Sequence, residues 1–223
     1  AIYLLGSKGL KLALMLPMGI GTAVGMLVVK AVLKKFSTKK TFIIFCVYGF
    51  SSLMILFIVS KLIGFNSTLV VPFLILNFFC GLQHGNTNVT PNIMIADCVD
   101  EMEYKTGKRQ EGLAYAGYGL FSKIASAFTK YLGPFLVYTW SGYQFSQDPN
   151  VAYAVQTDGT LSKFLAIYTI IPAIFVLLQG VPILFYDMVG EKKNRITAAL
   201  AEKRAAQESA EASSDGAADA IAE

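Results

Sequence analysis

Residues 97 to 111, Asp-Cys-Val-Asp-Glu-Met-Glu-Tyr-Lys-Thr-Gly-Lys-Arg-Gln-Glu, crowd acidic and basic side chains into a short run between two long apolar segments. Such a run in an otherwise apolar chain reads as a polar connection between helices that cross a bilayer. Composition agrees: 54% of the 223 residues are hydrophobic and 15% charged, against about 25% charged in an average soluble domain. Mean hydropathy is +0.53. Working outward from the charged run, five stretches reach the roughly 20 residues that a helix needs to cross the hydrocarbon core: 10–29, 41–63, 69–95, 112–138 and 163–186. Residues 1–6 read as the end of a sixth span, and the opening in mid-apolar sequence without a methionine is expected of a piece of a longer chain. The expected organisation is an all-α transmembrane bundle over 1–190 and a polar tail over 191–223. That tail is rich in Ala, Glu and Ser, shows no apolar stripe and is expected to be disordered.

Basic residues set the expected orientation. Lys30, Lys34, Lys35, Lys39 and Lys40, then Lys105, Lys108 and Arg109, then Lys192, Lys193, Arg195, Lys203 and Arg204 all fall on one side of the five spans. The opposite side has Lys8, Lys11, Lys61 and Lys163, so the positive-inside rule puts the richer side and the C-terminus in the cytoplasm. The net charge of +4 reflects this bias and gives no argument for nucleic acid. Three cysteines, Cys46, Cys80 and Cys98, suggest small buried side chains rather than a disulfide framework. A chain with one histidine, no Gly-rich phosphate loop and no metal-ligand spacing offers no enzymatic constellation; no metal site and no cofactor are expected.

The polar residues inside the spans follow helical periods. Gly112, Ala116, Gly119, Lys123, Ser126 and Lys130 recur at steps of three and four and share one face of the fourth span. Lys123 lies about 11 residues into that span, roughly 16 Å at 1.5 Å per residue. A mid-span lysine costs about 2.5 kcal/mol or more in hydrocarbon, so it needs a counter-charge, an aqueous cavity or a route to the interface. The alternative, a side chain snorkelling to the headgroups, is the better reading for Lys130. In the third span Asn77, Gly81, His84, Asn88 and Asn92 form a stripe, and Gln83, Asn86, Thr87 and Thr90 broaden it. Amides both donate and accept hydrogen bonds, as sugar hydroxyls do, so the stripe suits a water-filled path or a polyol. Interhelical hydrogen bonding, at about 1 kcal/mol each, is the alternative. His84 is either a proton carrier or simply a satisfied polar residue. Gly21 and Gly25, four apart, permit close helix contact, and Pro17, Pro72, Pro91, Pro172 and Pro182 can kink spans.

The order Asp97-x-x-Asp100-x-x-Glu103-x-Lys105-Thr106-Gly107-x-Arg109-x-Glu111-Gly112, with Lys123 twelve residues after Glu111, resembles the signature of the glycoside-pentoside-hexuronide:cation symporters, and the pattern of spans extends the likeness over about residues 1 to 195. The resemblance implies the C-terminal six-helix half of a major facilitator superfamily transporter: five full transmembrane helices plus the end of a sixth. It implies alternating access around a midplane site shared with an N-terminal half. It also implies a substrate- and cation-coupling set at Lys123, Gly119, Tyr118, Asn88, His84 and Asn92, with Asn88 and Gly119 departing from the residues of melibiose-transporting members. The coupling cation would be Na⁺ or H⁺, held mainly by that other half.

If residues 97–106 are helical, Asp97, Asp100 and Glu103 stand three apart and Lys105 and Arg109 four apart, giving acidic and basic faces. With Glu111 they form an expected cytoplasmic gate whose charges pair across the two halves. Glu101 and Lys108 read as solvated. The expected partners are the bilayer, a sugar or glycoside and the other half, and the expected location is a bacterial inner membrane. Transport of another solute, such as a lysolipid, or a non-transporting scaffold role are the alternatives.

Overall fold

The computed structural model describes residues 10–145 and 154–222, and all regular structure among them is helical. The expected span end at residues 1–6 lies outside the described residues. Helix α1 is Leu10–Leu33, α2 Thr38–Ile63, α3 Val70–Thr106 and α4 Glu111–Phe135. Then come α5 Asp158–Tyr168, α6 Ile170–Leu178, α7 Gly180–Ile183 and α8 Gly190–Ala222. By length and apolarity, Met15–Leu33, Thr38–Ile63 and Asp158–Ile183 can cross a membrane. The sequence predicts five such spans; α3 and α4 are long enough, but their glycines, amides and charges dilute the apolarity of the other two.

The charged run is mostly helix rather than loop. At about 1.5 Å per residue, the 37 residues of α3 extend roughly 55 Å, well beyond a hydrocarbon core of about 30 Å. The excess carries Asp97 to Lys105. Gly107 ends the helix in the left-handed region, φ 73°, and its N–H caps the Glu103 carbonyl at 2.8 Å, so only 107–110 connect α3 to α4.

Two glycine pairs seat α1 directly on α3. A Cβ on Gly21 would stand 2.2 Å from the Phe78 carbonyl oxygen, and one on Gly25 2.4 Å from that of Leu82. From the other side, a Cβ on Gly81 would stand 2.4 Å from the Met18 carbonyl oxygen, and one on Gly85 2.4 Å from the Gly25 carbonyl carbon. The expected contact at Gly21 and Gly25 therefore forms, and its counterpart on α3 is Gly81 and Gly85, also four apart. In a bilayer, where apolar association has little driving force, such close backbone packing is what holds helices together. On the other side of α3, α2 buries Leu56 against Leu69, Phe73 and Cys80, while Phe42 and Cys46 meet Met94.

The segment 158–183 is broken twice, each time by a proline. A proline ring clashes with the carbonyl four residues back and has no N–H to offer it. Pro172 thereby ends α5 at Tyr168, and Pro182 ends α6 at Leu178. Around these breaks, Thr169 Oγ1 donates to the Leu165 carbonyl at 2.6 Å, and Lys39 Nζ donates to the carbonyls of Leu184 at 2.6 Å and Tyr186 at 3.0 Å just beyond α7. Pro91, by contrast, sits inside an unbroken α3.

One expectation is corrected. The tail is not unfolded: residues 190–222 are helical, and Ile196 and Leu200 are buried in a cluster with Met188, beside Tyr186. A two-residue apolar face was too short to register as a stripe, yet it suffices because ion pairs flank it. Among the described residues none in α4 is buried, and no atom would meet a Cβ on Gly112 or Gly119 within 4 Å, so the described residues leave its small-residue face uncovered.

Candidate functional site

The long amide stripe of α3 divides in space. Asn77, Gln83, Asn86 and Thr90 turn inward and are buried, whereas His84, Asn88 and Asn92 are exposed in one register. Two of the exposed three are tied to their own helix: Asn88 Nδ2 donates to the His84 carbonyl at 2.8 Å and Asn92 Nδ2 to the Asn88 carbonyl at 2.8 Å. Those bonds hold the amides close to the helix surface while each keeps its carbonyl oxygen as a further acceptor. Within the buried set Thr90 Oγ1 donates to Asn86 Oδ1 at 2.6 Å, and Tyr168 OH on α5 donates to Asn77 Oδ1 at 2.8 Å. Tyr168 is a residue that sequence reasoning missed. Its signal would have been an aromatic hydroxyl near the centre of the last span.

Tyr118 and Lys123 are exposed on α4. No hydrogen bond or ion pair joins them or Gly119 to His84, Asn88 or Asn92 among the described residues. A cavity of about 340 Å³ lies among α1, α2, α3 and the α5–α6 segment, and of these residues His84 lines it.

The charged ends of α3 and α8 form a second polar region. Lys193 Nζ lies 2.8 Å from Asp97, which also accepts the Tyr186 hydroxyl. Arg204 Nη2 reaches Glu103 at 2.8 Å and Asp100 at 3.3 Å, and Arg109 contacts Asp100 and Glu103 at 3.3 and 3.2 Å as well as Glu111 at 3.2 Å. Lys105 pairs with Glu101 at 2.8 Å, and Lys192 bridges Glu101 and Asp187 at 2.8 and 2.6 Å. The acidic face of α3 thus meets cations of this chain's own α8, where the expectation had been partners in another half. Glu101, expected to be solvated, is paired; Lys108 is exposed, as expected. The signal in the sequence was Lys193, Ile196, Leu200 and Arg204, spaced to share one helical face.

The cluster shifts its own titrations. The hydrogen bond from Arg204 holds Glu103 below the usual carboxylate range, those from Lys105 and Lys192 do the same for Glu101, and burial followed by the Asp97 hydrogen bond raises the Tyr186 phenol. Depressed carboxylates contribute stability that is present above their ordinary value of about 4.5 and lost as pH falls through their lower folded values. The α3–α8 contact is therefore expected to hold at pH 7 and to open below about pH 4.5. Amide hydrogen exchange over residues 192–204 at pH 7 and pH 3.5, corrected for intrinsic rates, checks this; equal protection at both values would count against it.

Comparison with known proteins fits this architecture. Residues 2–189 match the model of a family described as MFS/sugar transport protein. A provisionally named sulfoquinovose importer of Escherichia coli (strain K12) is 29% identical over 174 residues, 76% of this chain and 33% of the relative. A glucuronide carrier protein homolog of the same strain is 27% identical over 207 residues, 92% and 42% of the two chains. An uncharacterized symporter of Bacillus subtilis (strain 168) is 37% identical over 100 residues, 45% and 20% of the two chains. The chain spans less than half the length of each of these relatives. No solved structure matches it. With apolar helices, an amide-lined α3 and a family match over most of its length, the chain belongs to the MFS/sugar transport family of membrane proteins.

Proposed function

We propose that this chain is one half of a cation-coupled sugar symporter, resembling the C-terminal six helices, and that a sugar and Na⁺ or H⁺ bind where its polar surface meets the other half. The observation that carries the reading is the exposure of His84, Asn88 and Asn92 in one register on α3, together with Lys123 on α4, all on helices whose remaining exposed surface is largely apolar. Hydrocarbon would leave the Lys123 ammonium, the His84 ring and the free amide oxygens of Asn88 and Asn92 unsolvated, whereas a water-filled path and a facing half would satisfy them. The Asp97 to Glu111 cluster acts as a gate on the cytoplasmic side of a bacterial inner membrane. It biases the inward- and outward-open states through ion pairs that form in one and loosen in the other.

The test is uptake by the full-length protein in proteoliposomes under an imposed Na⁺ or H⁺ gradient, with sugars of the neutral, uronate and sulfonate classes. Gradient-dependent accumulation of one of them is expected. Accumulation that ignores both gradients would remove the coupling, and no uptake of any sugar would remove the reading altogether. Lys123→Ala is expected to reduce accumulation several-fold and to weaken its cation dependence, because a mid-span ammonium near the coupling site influences the same charges that the cation neutralises. Lys123→Arg should restore it only in part, a planar guanidinium being a poor substitute for a compact ammonium. Parent-level accumulation by Lys123→Ala would make Lys123 a snorkelling residue.

A further inference from the structure

We propose that a pocket of about 300 Å³, at the end of the bundle that carries the charged cluster, binds the phosphate of an anionic phospholipid. Two helix N-termini meet there: Ser37 and Thr38 open α2, and Val189 and Gly190 lead into α8, with Gly190 at φ 57°. The first N–H groups of each helix have no intrahelical acceptor and form its positive dipole end, which suits a phosphate oxygen. The side chains of the wall point the same way. Thr38 lines the pocket at 7% exposure, and its hydroxyl has no hydrogen-bond partner among the described residues. A buried hydroxyl left unmade is unfavourable, so Thr38 has a donor to give to something held there. Lys193 lines the pocket too; an ammonium has three donors, so its pairing with Asp97 leaves it able to bridge to a phosphate oxygen. Glu191, the carboxylate of the first turn of α8, lines a different surface with Lys192, Asn194 and Arg195.

The surroundings fit a lipid rather than a free phosphate. Residues 1–96 contain no Asp or Glu. Lys34, Lys35 and Lys40, around the turn between α1 and α2, are exposed and form no ion pair among the described residues, whereas Lys192, Lys193 and Arg204 of α8 all have carboxylate partners. The counter-charge of the three lysines therefore comes from elsewhere, and lysines beside a bilayer are drawn to anionic headgroups. Their turn joins Met15–Leu33 to Thr38–Ile63, two segments that can cross a membrane, so it stands at the level of the headgroups. Toward the bilayer centre the outer face of α2 is apolar: Ile44, Val47, Ile55 and Ile58 are exposed at helical spacing, and Lys40 heads that face four residues before Ile44. A cation above an apolar stripe matches a phosphate above an acyl chain. Leu33, Phe36 and Ile93 on the pocket wall likewise favour a glycerol backbone over a hydrated ion.

Binding is measured by native mass spectrometry of the purified full-length protein in detergent, titrated with dioleoyl phosphatidylglycerol, dioleoyl phosphatidylcholine or glycerophosphate. The two lipids share a phosphodiester and chains and differ in net charge; glycerophosphate has the headgroup without the chains. Phosphatidylglycerol is expected to bind at least tenfold more tightly than phosphatidylcholine, and millimolar glycerophosphate is expected not to displace it. Thr38→Val keeps the shape of the side chain and removes its hydroxyl, and should weaken phosphatidylglycerol binding about fivefold. Lys34→Gln, Lys35→Gln and Lys40→Gln together should weaken it tenfold or more, while Lys130→Gln, which removes an exposed cation toward the other end of α4, leaves it unchanged. The lipid comparison and the surface-lysine variant decide the matter even if Thr38→Val fails to fold. Equal binding of the two lipids would overturn the proposal, as would displacement by glycerophosphate, which would make the ligand a free phosphate. An unchanged titration in folded Thr38→Val would take the lipid away from this pocket, and one in the triple lysine variant, or an equal loss in Lys130→Gln, would take it away from this rim.

Discussion

Gly85→Val is expected to abolish the folded protein. A Cβ at Gly85 would stand 2.4 Å from both the Gly25 carbonyl carbon and the Met26 nitrogen, and 2.7 Å from the Gly25 Cα, all backbone atoms that no rotamer change can move aside. Core over-packing ordinarily costs about 1–3 kcal/mol when side chains can yield. Here α1 must leave α3, so the loss exceeds about 3 kcal/mol and removes the most extensive helix contact among the described residues. Gly81→Val, whose Cβ meets the Met18 carbonyl oxygen at 2.4 Å, should behave alike. Gly112→Ala is the control, since no atom lies within 4 Å of its added carbon. Thermal unfolding and size-exclusion profiles in detergent measure the difference. If Gly85→Val unfolds within a few degrees of the parent, the direct seating of α1 on α3 is incorrect.

Arg204→Glu is expected to release α8 from α3. Arg204 lies 2.8 Å from Glu103, whose side chain is 10% exposed, and 3.3 Å from Asp100, while Arg109 shares both carboxylates. Reversal would place a third carboxylate beside two with a single cation remaining, so attraction becomes repulsion. Half-exposed pairs are screened by solvent and contribute only about 0–1 kcal/mol each. The stronger tie is Asp97, whose side chain is 8% exposed and which holds both Lys193 and the Tyr186 hydroxyl. A hydrogen bond to a charged group contributes about 1.5–3 kcal/mol, so Asp97→Asn should rival Arg204→Glu in effect. Both variants should raise hydrogen exchange over residues 192–204 by tenfold or more while leaving 70–90 unchanged. The double variant Glu103→Arg with Arg204→Glu should recover part of the protection, as charge exchange requires. A tail that stays protected in Arg204→Glu would show that Ile196, Leu200 and Met188 hold it without the ion pairs.

Local sequence alone was enough for the apolar helices, though not for α8 or the charged end of α3, because the causes of the former are local. Apolar length marked the spans, Pro172 and Pro182 acted on carbonyls four residues away, and Gly107 ended α3 where only a left-handed residue could. The Gly21 and Gly25 spacing likewise announced a close contact, since the missing Cβ atoms are a property of the residues themselves. The family was legible too, in the order of charges from Asp97 to Gly112, and residues 2–189 match its model.

Partnership was not legible, because it depends on which faces meet. Helical period put Asn77 and His84 on one stripe, yet the approach of α2 and α5 buries the first and leaves the second exposed. Asp97, Asp100 and Glu103 announced that cations were needed, but only the path of the chain after Tyr186 decided that Lys193 and Arg204 would supply them. A stripe of two apolar residues in α8 has no significance in isolation, since a helix that short of hydrophobic surface does not persist alone in water. It becomes a folded element when α3 offers carboxylates at matching height and a greasy ledge beside Tyr186. The cavity, finally, required the tertiary structure entirely: Gly49, Gln83 and Tyr168 lie on three different helices, and nothing in their spacing along the chain reports that a missing methyl group on one makes room for the amide of another.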